Sequence, residues 1–350
     1  MFTVGMVVPF AGPGGIYGPS AQAVTELAVH EINADGGVLG HEIRVEMIDG
    51  GAPLRVMKAQ VAELLLRQEI QALAGWHISS VRNALIPLVA KRVPYVYSAV
   101  YEGGEQRSGT YCTGEVPGNQ LEPAMQWLRE NTGARRWYVV GDDYVWPRLS
   151  FKAVKERASR MKISIVGHAF LSEAPEKRTS AIPRLMDDVR RSGCDAVLML
   201  MVGQNAVDFN RAFAEWGLHD RMLRFSPLME ENMLLASGLG ATQNLYSAGA
   251  YFRSLTTGDS IGLVSRYAAM HGSSGPALNG PAESCYEGLF ALRSILHRAG
   301  SVDVTATDSI IDGHSYAGPR GPVEFTGNQA TQQLYLGSAA GFDFDVLASL

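Results

Sequence analysis

The chain has 350 residues, 46% of them apolar, and carries a formal net charge of -5. This size and composition predict a large core shared between two domains, and the mild acidity excludes the basic surface of a nucleic-acid-binding protein. The three cysteines lie far apart and lack CxxC spacing, so they indicate buried thiols and neither a disulfide framework nor a zinc site. No apolar run approaches the roughly 20 residues that a membrane-spanning helix needs.

The first part of the chain alternates between predicted strands and helices. Apolar runs predict strands at residues 2–8, 43–48, 70–74 and 94–97. Helical spacing predicts helices at residues 21–32, 54–67 and 79–91. This alternation indicates a mainly parallel sheet.

The same pattern starts again near residue 119. Helices are predicted at residues 119–131, 146–160, 180–191, 206–216, 261–271, 281–299 and 304–311, with a short one after Glu230. Strands are predicted at residues 137–140, 163–169, 196–201, 222–226 and 245–252, and the tail from residue 321 alternates like antiparallel strands. Two similar α/β halves predict two lobes that close by hinge motion on a small ligand, with residues 113–119 and 245–251 as the crossings.

A strand, a tight turn and a helix N-terminus are predicted over residues 73–80. Amides in a first helical turn carry partial positive charge, and Ser79 and Ser80 add hydroxyls there. Ligands of open α/β sheets bind at the carboxyl ends of strands, so this corner is predicted to bind a carbonyl or carboxylate oxygen. The alternative is that the two serines only cap the helix.

Several stretches resemble a known family. They are residues 33–43 with Asp49, the Ser79-Ser80 corner, and residues 97–103, 117–120, 141–148, 202–203 and 321–323. Together they are similar to type I periplasmic binding proteins for branched-chain amino acids, urea and short amides, in particular the amide-sensing regulators of aliphatic amidase expression. The resemblance implies a two-lobed α/β fold, with a mainly parallel sheet flanked by helices in each lobe and the ligand in the interlobe cleft. Lobe I is predicted at residues 1–118 and 249–320, and lobe II at residues 119–248 and 321–350.

The resemblance also implies ligand-binding residues. Ser79 matches the family's ligand-binding serine, while Ala99 replaces a threonine of amino-acid binders and His77 a tyrosine of amide sensors. Tyr144 and Trp146 match two tyrosines that close on the ligand from the second lobe. The full predicted set is Tyr17, His77, Ser79, Ser80, Ala99, Val100, Tyr101, Tyr144, Trp146, Gly203, Gln204 and Glu230.

Some of these residues have equally simple structural explanations. Glu230 stands where amino-acid binders place the acid that receives the ammonium group, but a first-turn glutamate is also favoured by the helix dipole. Tyr17 either overhangs the cleft or lies on the surface of a turn. Tyr144 and Trp146 either line the pocket or pack at an interface, and Tyr97 is predicted to lie in the core.

The sequence contains no recognisable catalytic or cofactor motif. The glycine-rich loop 12–15 has neither the G-x-G-x-x-G order nor a P-loop lysine, and there is no G-x-S-x-G elbow. His77 and Ser79 are two residues apart, a spacing that rarely supplies an aligned base and nucleophile. The remaining histidines lack metal-ligand spacing, so no catalytic residue, cofactor or metal is predicted.

The predicted function is therefore non-catalytic binding of a small neutral amide-like ligand, such as a short aliphatic amide or urea. The chain would act as a sensor that regulates amide or nitrile metabolism through a partner protein. The alternatives are the substrate-binding subunit of an ABC transporter for amides, urea or branched-chain amino acids, which would contact a permease, and a hydrolase. Met1 opening on the first strand predicts a cytoplasmic location, with the periplasm or an extracellular lipoprotein as the alternative if a signal peptide was removed. A homo-oligomer is left open.

Overall fold

The computed structural model describes residues 1–172 and 174–350, and the chain forms two compact units. Unit 1 comprises Met1–Glu115 and Leu255–Gln333, and unit 2 comprises Val116–Ser254 and Leu334–Leu350. Among the described residues, every helix is too short or too polar to span a bilayer.

Strands and helices alternate along most of the chain. The strands are β1 (Phe2–Val8), β2 (Ile43–Asp49), β3 (Ala72–Gly75), β4 (Tyr95–Tyr97), β5 (Thr110–Cys112), β6 (Arg136–Asp142), β7 (Ser164–Leu171), β8 (Ala196–Leu200), β9 (Leu223–Phe225), β10 (Leu245–Gly249), β11 (Ser315–Gly318), β12 (Gly321–Thr326), β13 (Gln329–Thr331), β14 (Tyr335–Ala340) and β15 (Asp343–Ser349). The helices are α1 (Gly18–Ala34), α2 (Leu54–Leu66), α3 (Ser79–Val89), α4 (Leu121–Thr132), α5 (Val145–Met161), α6 (Pro175–Ser192), α7 (Gln204–Glu215), α8 (Glu231–Ser237), α9 (Gly258–His271), α10 (Gly280–Ala299) and α11 (Val304–Ile310).

Each unit is built on one mainly parallel sheet. The sheet of unit 1 has the strand order β11-β12-β13-β5-β4-β3-β1-β2, and that of unit 2 has the order β15-β14-β10-β9-β8-β6-β7. The antiparallel pairs all involve the C-terminal strands β11, β12, β14 and β15. The predicted α/β class and the antiparallel tail are therefore confirmed.

Burial explains why the parallel strands read as continuous apolar runs. Every residue of β1 is buried, as expected for a strand with neighbours on both edges and helices on its faces. Helix α10 packs against α1, β3 and β4, and most of its length is buried. The core of unit 1 therefore lies between this helix and the central strands.

The unit boundaries differ from the predicted lobes at the C-terminal segment. Residues 321–333 belong to unit 1, because β12 pairs with β11 and β13, and β13 pairs with β5. The chain passes from unit 1 to unit 2 after Glu115, within the predicted crossing 113–119. The predicted crossing 245–251 instead contains β10, a strand inside the second sheet, and the chain returns to unit 1 after Ser254.

Unit 1 buries two carboxylates beside one guanidinium. Glu283 and Glu287 lie one turn apart on α10 and are both 0% exposed. Arg320 donates from Nε to Glu283 and from Nη2 to Ser284. Burial raises the pKa of both carboxyls, against the opposing effect of Arg320. Because one guanidinium cannot neutralise two buried carboxylates, we expect the pair of Glu283 and Glu287 to keep one proton in the folded state.

This buried proton predicts that unit 1 loses stability as the pH rises. The folded state keeps a proton that an unfolded glutamate, with its ordinary pKa of 4.5, releases, so the free energy of unfolding falls above that pH. Glu287→Gln keeps the size of the side chain but cannot ionise. Between about pH 6 and about pH 9 the wild type should lose ~5 °C more in melting temperature than this variant. Calorimetry should show no such difference for Glu324→Gln, an exposed control, and equal pH dependence in wild type and Glu287→Gln would contradict the prediction.

Candidate functional site

The carboxyl ends of three parallel neighbours, β1, β3 and β4, meet at one edge of the unit 1 sheet. Strand β3 ends at Gly75, where a side chain would place its Cβ 2.1 Å from the carbonyl oxygen of Val7 in β1. Only glycine allows this approach. The chain then turns into α3, which begins at Ser79, so the predicted corner lies at the expected edge of the sheet.

The N-terminus of α3 has amides that precede its first hydrogen bonds. Val81 and Arg82 donate the first bonds, both to the carbonyl oxygen of Ile78, over 3.0 and 3.3 Å. The amides of Ser79 and Ser80 come before them and are left for other acceptors. Ile78 is the N-cap residue, and no side chain caps this helix. Neither serine hydroxyl therefore makes a capping bond to α3, and ligand binding by the two serines stays a prediction.

The Ser79 hydroxyl is held by a carboxylate. It donates to Oε2 of Glu102 over 2.6 Å, and Arg82 donates from Nη2 to the other oxygen of Glu102, also over 2.6 Å. The Arg82 and Glu102 side chains are 4% and 7% exposed. Glu105 is a second carboxylate beside Arg82, with its Oε2 3.4 Å from Nε. We call Ser79, Arg82 and Glu102 the Ser79 network.

The sequence did not predict that Ser79, Arg82 and Glu102 contact one another, although the position of each residue in the chain is consistent with it. Arg82 follows Ser79 by three residues, which places both on one side of α3. Glu102 directly follows Tyr101, in the segment after β4 that leads from the same sheet edge. A charged residue on a helix and another after a strand are common on surfaces, so their pairing becomes visible only in the fold.

Two tyrosines lie against the guanidinium of this network. The Cζ atom of Arg82 lies 4.5 Å from the ring centroid of Tyr101 and 5.0 Å from that of Tyr97. The Tyr101 hydroxyl donates to Gln329 over 2.5 Å, and the Tyr97 hydroxyl donates to the carbonyl oxygen of His77 over 2.7 Å. Tyr97 is thus a core residue, as predicted, and Tyr101 supports the site through Arg82.

His77 lies in the core beside the corner. It is 1% exposed, with Nε2 2.8 Å from the Tyr95 hydroxyl and Nδ1 3.2 Å from the Ile78 carbonyl oxygen. Burial lowers its pKa to about 3, so the ring is neutral. These partners fit a ring that donates from Nδ1 and accepts at Nε2. Since the Ser79 hydroxyl contacts Glu102 instead of this ring, the geometry offers no His77–Ser79 nucleophile pair.

The segment after β4 presents apolar groups. Ala99 and Val100 are 2% and 8% exposed. A Cβ on Gly114 would lie 1.9 Å from the carbonyl oxygen of Ala99, so the chain after β5 packs closely on this segment. Tyr17 is fully buried, in edge-to-face contact with Trp76 at 4.5 Å between centroids, which excludes the alternative that it lies on a turn surface.

A second sheet edge, in unit 2, holds other predicted residues. Strands β6 and β8 are parallel neighbours, and α5 and α7 follow their carboxyl ends. Asp142, at the end of β6, accepts from the Val202 amide over 2.9 Å and from Asn205 over 3.2 Å, and it pairs with Arg178 at 3.1 Å. This buried carboxylate, which the sequence interpretation missed, ties the two loops together.

Four predicted residues lie in these two loops or in the first turn of the helices that follow them. Tyr144 is the N-cap residue of α5 and is partly exposed, whereas Trp146 is 2% exposed, with the two ring centroids 6.3 Å apart. Gly203 precedes α7 at φ 50°, a backbone conformation that favours glycine. Gln204 is exposed and donates to Asp208 over 2.7 Å.

Glu230 has the structural role of a helix cap. Its two carboxylate oxygens accept from the amides of Asn232 and Met233 over 2.8 and 3.0 Å at the start of α8. The neighbouring Glu231 is buried, which raises its pKa to about 7, and it accepts from the Arg253 amide over 2.9 Å. The geometry therefore shows the cap, and a ligand contact of Glu230 stays a prediction.

No group of three or more histidine, cysteine, aspartate or glutamate side chains in residues 1–172 and 174–350 is arranged to hold a metal ion. Cys112, Cys194 and Cys285 are free and buried, as predicted.

Comparison with known proteins identifies the fold. A family model described as periplasmic binding protein matches residues 2–342. A solute-binding protein of an ABC transporter from Rhodopseudomonas palustris, in complex with 3,4-dihydroxybenzoic acid, shares 20% identity at a TM-score of 0.84, over 100% of this chain and 97% of that one. A periplasmic binding protein from Burkholderia mallei shares 16% identity at a TM-score of 0.87, over 100% and 94% of the two chains. A branched-chain amino acid transporter substrate-binding protein from Streptococcus pneumoniae, in complex with isoleucine, shares 15% identity at a TM-score of 0.82, over 100% and 98%. These likenesses confirm the predicted fold of the type I periplasmic binding proteins.

Proposed function

The chain belongs to the periplasmic binding protein family, and we propose that it is a non-catalytic binding protein that takes a small solute at the Ser79 corner for an ABC transporter. The proteins compared above include transporter subunits, which favours this role over the predicted sensor of amide or nitrile metabolism. By the same argument the partner is a permease, and the periplasm is favoured over the cytoplasm. The closeness to amide-sensing regulators rests on the sequence resemblance alone.

The observation that carries the proposal is the pair of Ser79 and Ser80 amides at the N-terminus of α3. They precede the first bonds of the helix and lie at the carboxyl edge of a parallel sheet, where they suit a ligand oxygen. Ser79 is 1% exposed, so a ligand that reaches it leaves water. The nearby Ala99 adds no hydroxyl that would hold the charged groups of an amino acid.

These features favour a small neutral ligand, such as a short aliphatic amide or urea. The charged group in contact with the Ser79 hydroxyl is the carboxylate of Glu102, which opposes a second negative charge. The 3,4-dihydroxybenzoic acid and the isoleucine are ligands of the compared proteins, and they do not identify the ligand of this chain. Contacts of Tyr144 and Trp146 with the ligand, and closure of the predicted lobes, stay predictions.

A melting screen tests this proposal. Acetamide, propionamide and urea should raise the melting temperature, whereas leucine, valine and benzoate should have little effect, because a ligand at about 100 times its Kd adds about 2.7 kcal/mol to the stability. Ammonia release is measured in the same samples. Stronger stabilisation by leucine or valine would reject the neutral ligand class, and ammonia release would reject the non-catalytic role.

A further inference from the structure

We propose that Glu102 determines the specificity of this site, by holding the Ser79 hydroxyl as an acceptor and thereby selecting ligands that donate N–H over carboxylates. This inference rests on the proposed function and states which chemical groups of a ligand the same site selects.

The inference follows from the single proton of the serine hydroxyl. A hydroxyl group has one proton to donate and two lone pairs that accept. In Ser79 the proton goes to Oε2 of Glu102 over 2.6 Å. Toward a ligand, the Ser79 oxygen therefore offers lone pairs only, and the donors at this corner are the backbone amides of Ser79 and Ser80.

Arg82 fixes Glu102 in the orientation that this proton needs. It donates to Oε1 of Glu102 over 2.6 Å, so each carboxylate oxygen has its own partner. The guanidinium is held in turn by the Tyr101 ring and by Glu105. A buried carboxylate that is paired in this way stays an acceptor, and the Ser79 hydroxyl cannot turn its proton to the ligand without breaking a charge-assisted bond.

A primary amide complements both parts of the corner. Its carbonyl oxygen accepts from the first-turn amides, and its N–H donates to the Ser79 oxygen. A carboxylate of the same shape lacks the N–H, meets a lone pair at that oxygen, and brings a second negative charge toward Glu102. Unpaired polar groups and like charges at one site are the usual means by which proteins reject a close analogue.

Three probes of nearly one shape separate these effects. Propionamide, butanone and propionate carry NH2, CH3 and O⁻ on the same propionyl group. Calorimetric titration of the wild type should give propionamide an affinity at least about tenfold higher than that of either analogue. Butanone binding as tightly as propionamide would overturn the inference, because the ligand N–H would then contribute nothing.

Glu102→Gln tests the residue itself. Its amide can donate to the Ser79 oxygen, which frees the hydroxyl proton for a ligand acceptor and removes the negative charge. The affinity ratio of propionamide to propionate should therefore fall about tenfold or more relative to wild type. Glu324→Gln makes the same change at an exposed glutamate of β12, away from the Ser79 network, so it should keep the wild-type ratio.

The outcomes separate this inference from the proposed function. A folded Glu102→Gln variant with an unchanged ratio overturns the role of Glu102 while solute binding stands. If the variant fails to fold, the comparison of propionamide with butanone in the wild type decides. If the wild type binds neither these probes nor any solute of the melting screen, the proposed function fails and this inference fails with it.

Discussion

Alanine in place of Ser79 is expected to weaken the binding of propionamide about tenfold or more, because removing a hydroxyl from a buried polar partner costs about 1–3 kcal/mol. The hydroxyl belongs to the first residue of α3 and donates to Glu102, and Ser79 is 1% exposed. Titration calorimetry of the wild type and Ser79→Ala measures the change.

The matched control is Ser309→Ala, which removes an exposed hydroxyl from α11. Its dissociation constant should equal that of the wild type. An unchanged dissociation constant in a folded Ser79→Ala variant would remove Ser79 from the ligand site.

Methionine in place of Arg82 is expected to lower the stability of the protein more than any other substitution proposed above. The substitution leaves the side chains of Glu102 and Glu105, 7% and 3% exposed, without their buried counter-charge. Breaking a buried ion pair from one side costs about 3–5 kcal/mol, which corresponds to a melting temperature lower by ~10 °C. Part of the cost also comes from the lost contacts with Tyr97 and Tyr101.

Arg92→Met is the control for this prediction, since Arg92 lies in the same part of the chain but is exposed. Thermal unfolding followed by circular dichroism should give a clearly lower melting temperature for Arg82→Met than for Arg92→Met. Equal melting temperatures for Arg82→Met and Arg92→Met would show that the buried pairing contributes no stability.

The periodicity of the sequence was sufficient to predict most of the fold. Strand β1 occupies its predicted residues, 2–8, because a central parallel strand is apolar on both faces. Helix α3 begins at the predicted Ser79, since the apolar run ends in Gly75 and helical spacing follows it. Strand β5 was missed because polar residues and glycines flank its three residues, so no apolar run marks it, and its structure depends on pairing with β4 and β13.

The sheet to which a strand belongs could not be predicted from its own pattern. The alternation of Val323 and Phe325 correctly predicted strand β12, but not its place in the first sheet. Helix α6 begins at Pro175, before the predicted residue 180, because proline is well suited to the first turn of a helix and the polar residues there carry little periodicity.

The backbone of the candidate site could be predicted from the sequence, but the contacts of its charged side chains could not. A strand that ends before a serine pair is visible in the sequence, whereas the bond of Ser79 to Glu102 joins residues 23 positions apart. For Glu230, the sequence allowed both a ligand contact and a place in the first turn of a helix, where the helix dipole favours a glutamate. Only the positions of the Asn232 and Met233 amides show that the carboxylate caps α8.

A crystal structure of the protein with saturating propionamide would examine the ligand at the Ser79 corner itself. We expect the ligand oxygen within hydrogen-bond distance of the Ser79 and Ser80 amides, and its nitrogen facing the Ser79 hydroxyl while that hydroxyl still contacts Glu102. Propionamide bound elsewhere on the chain, with no contact to the N-terminus of α3, would contradict this site.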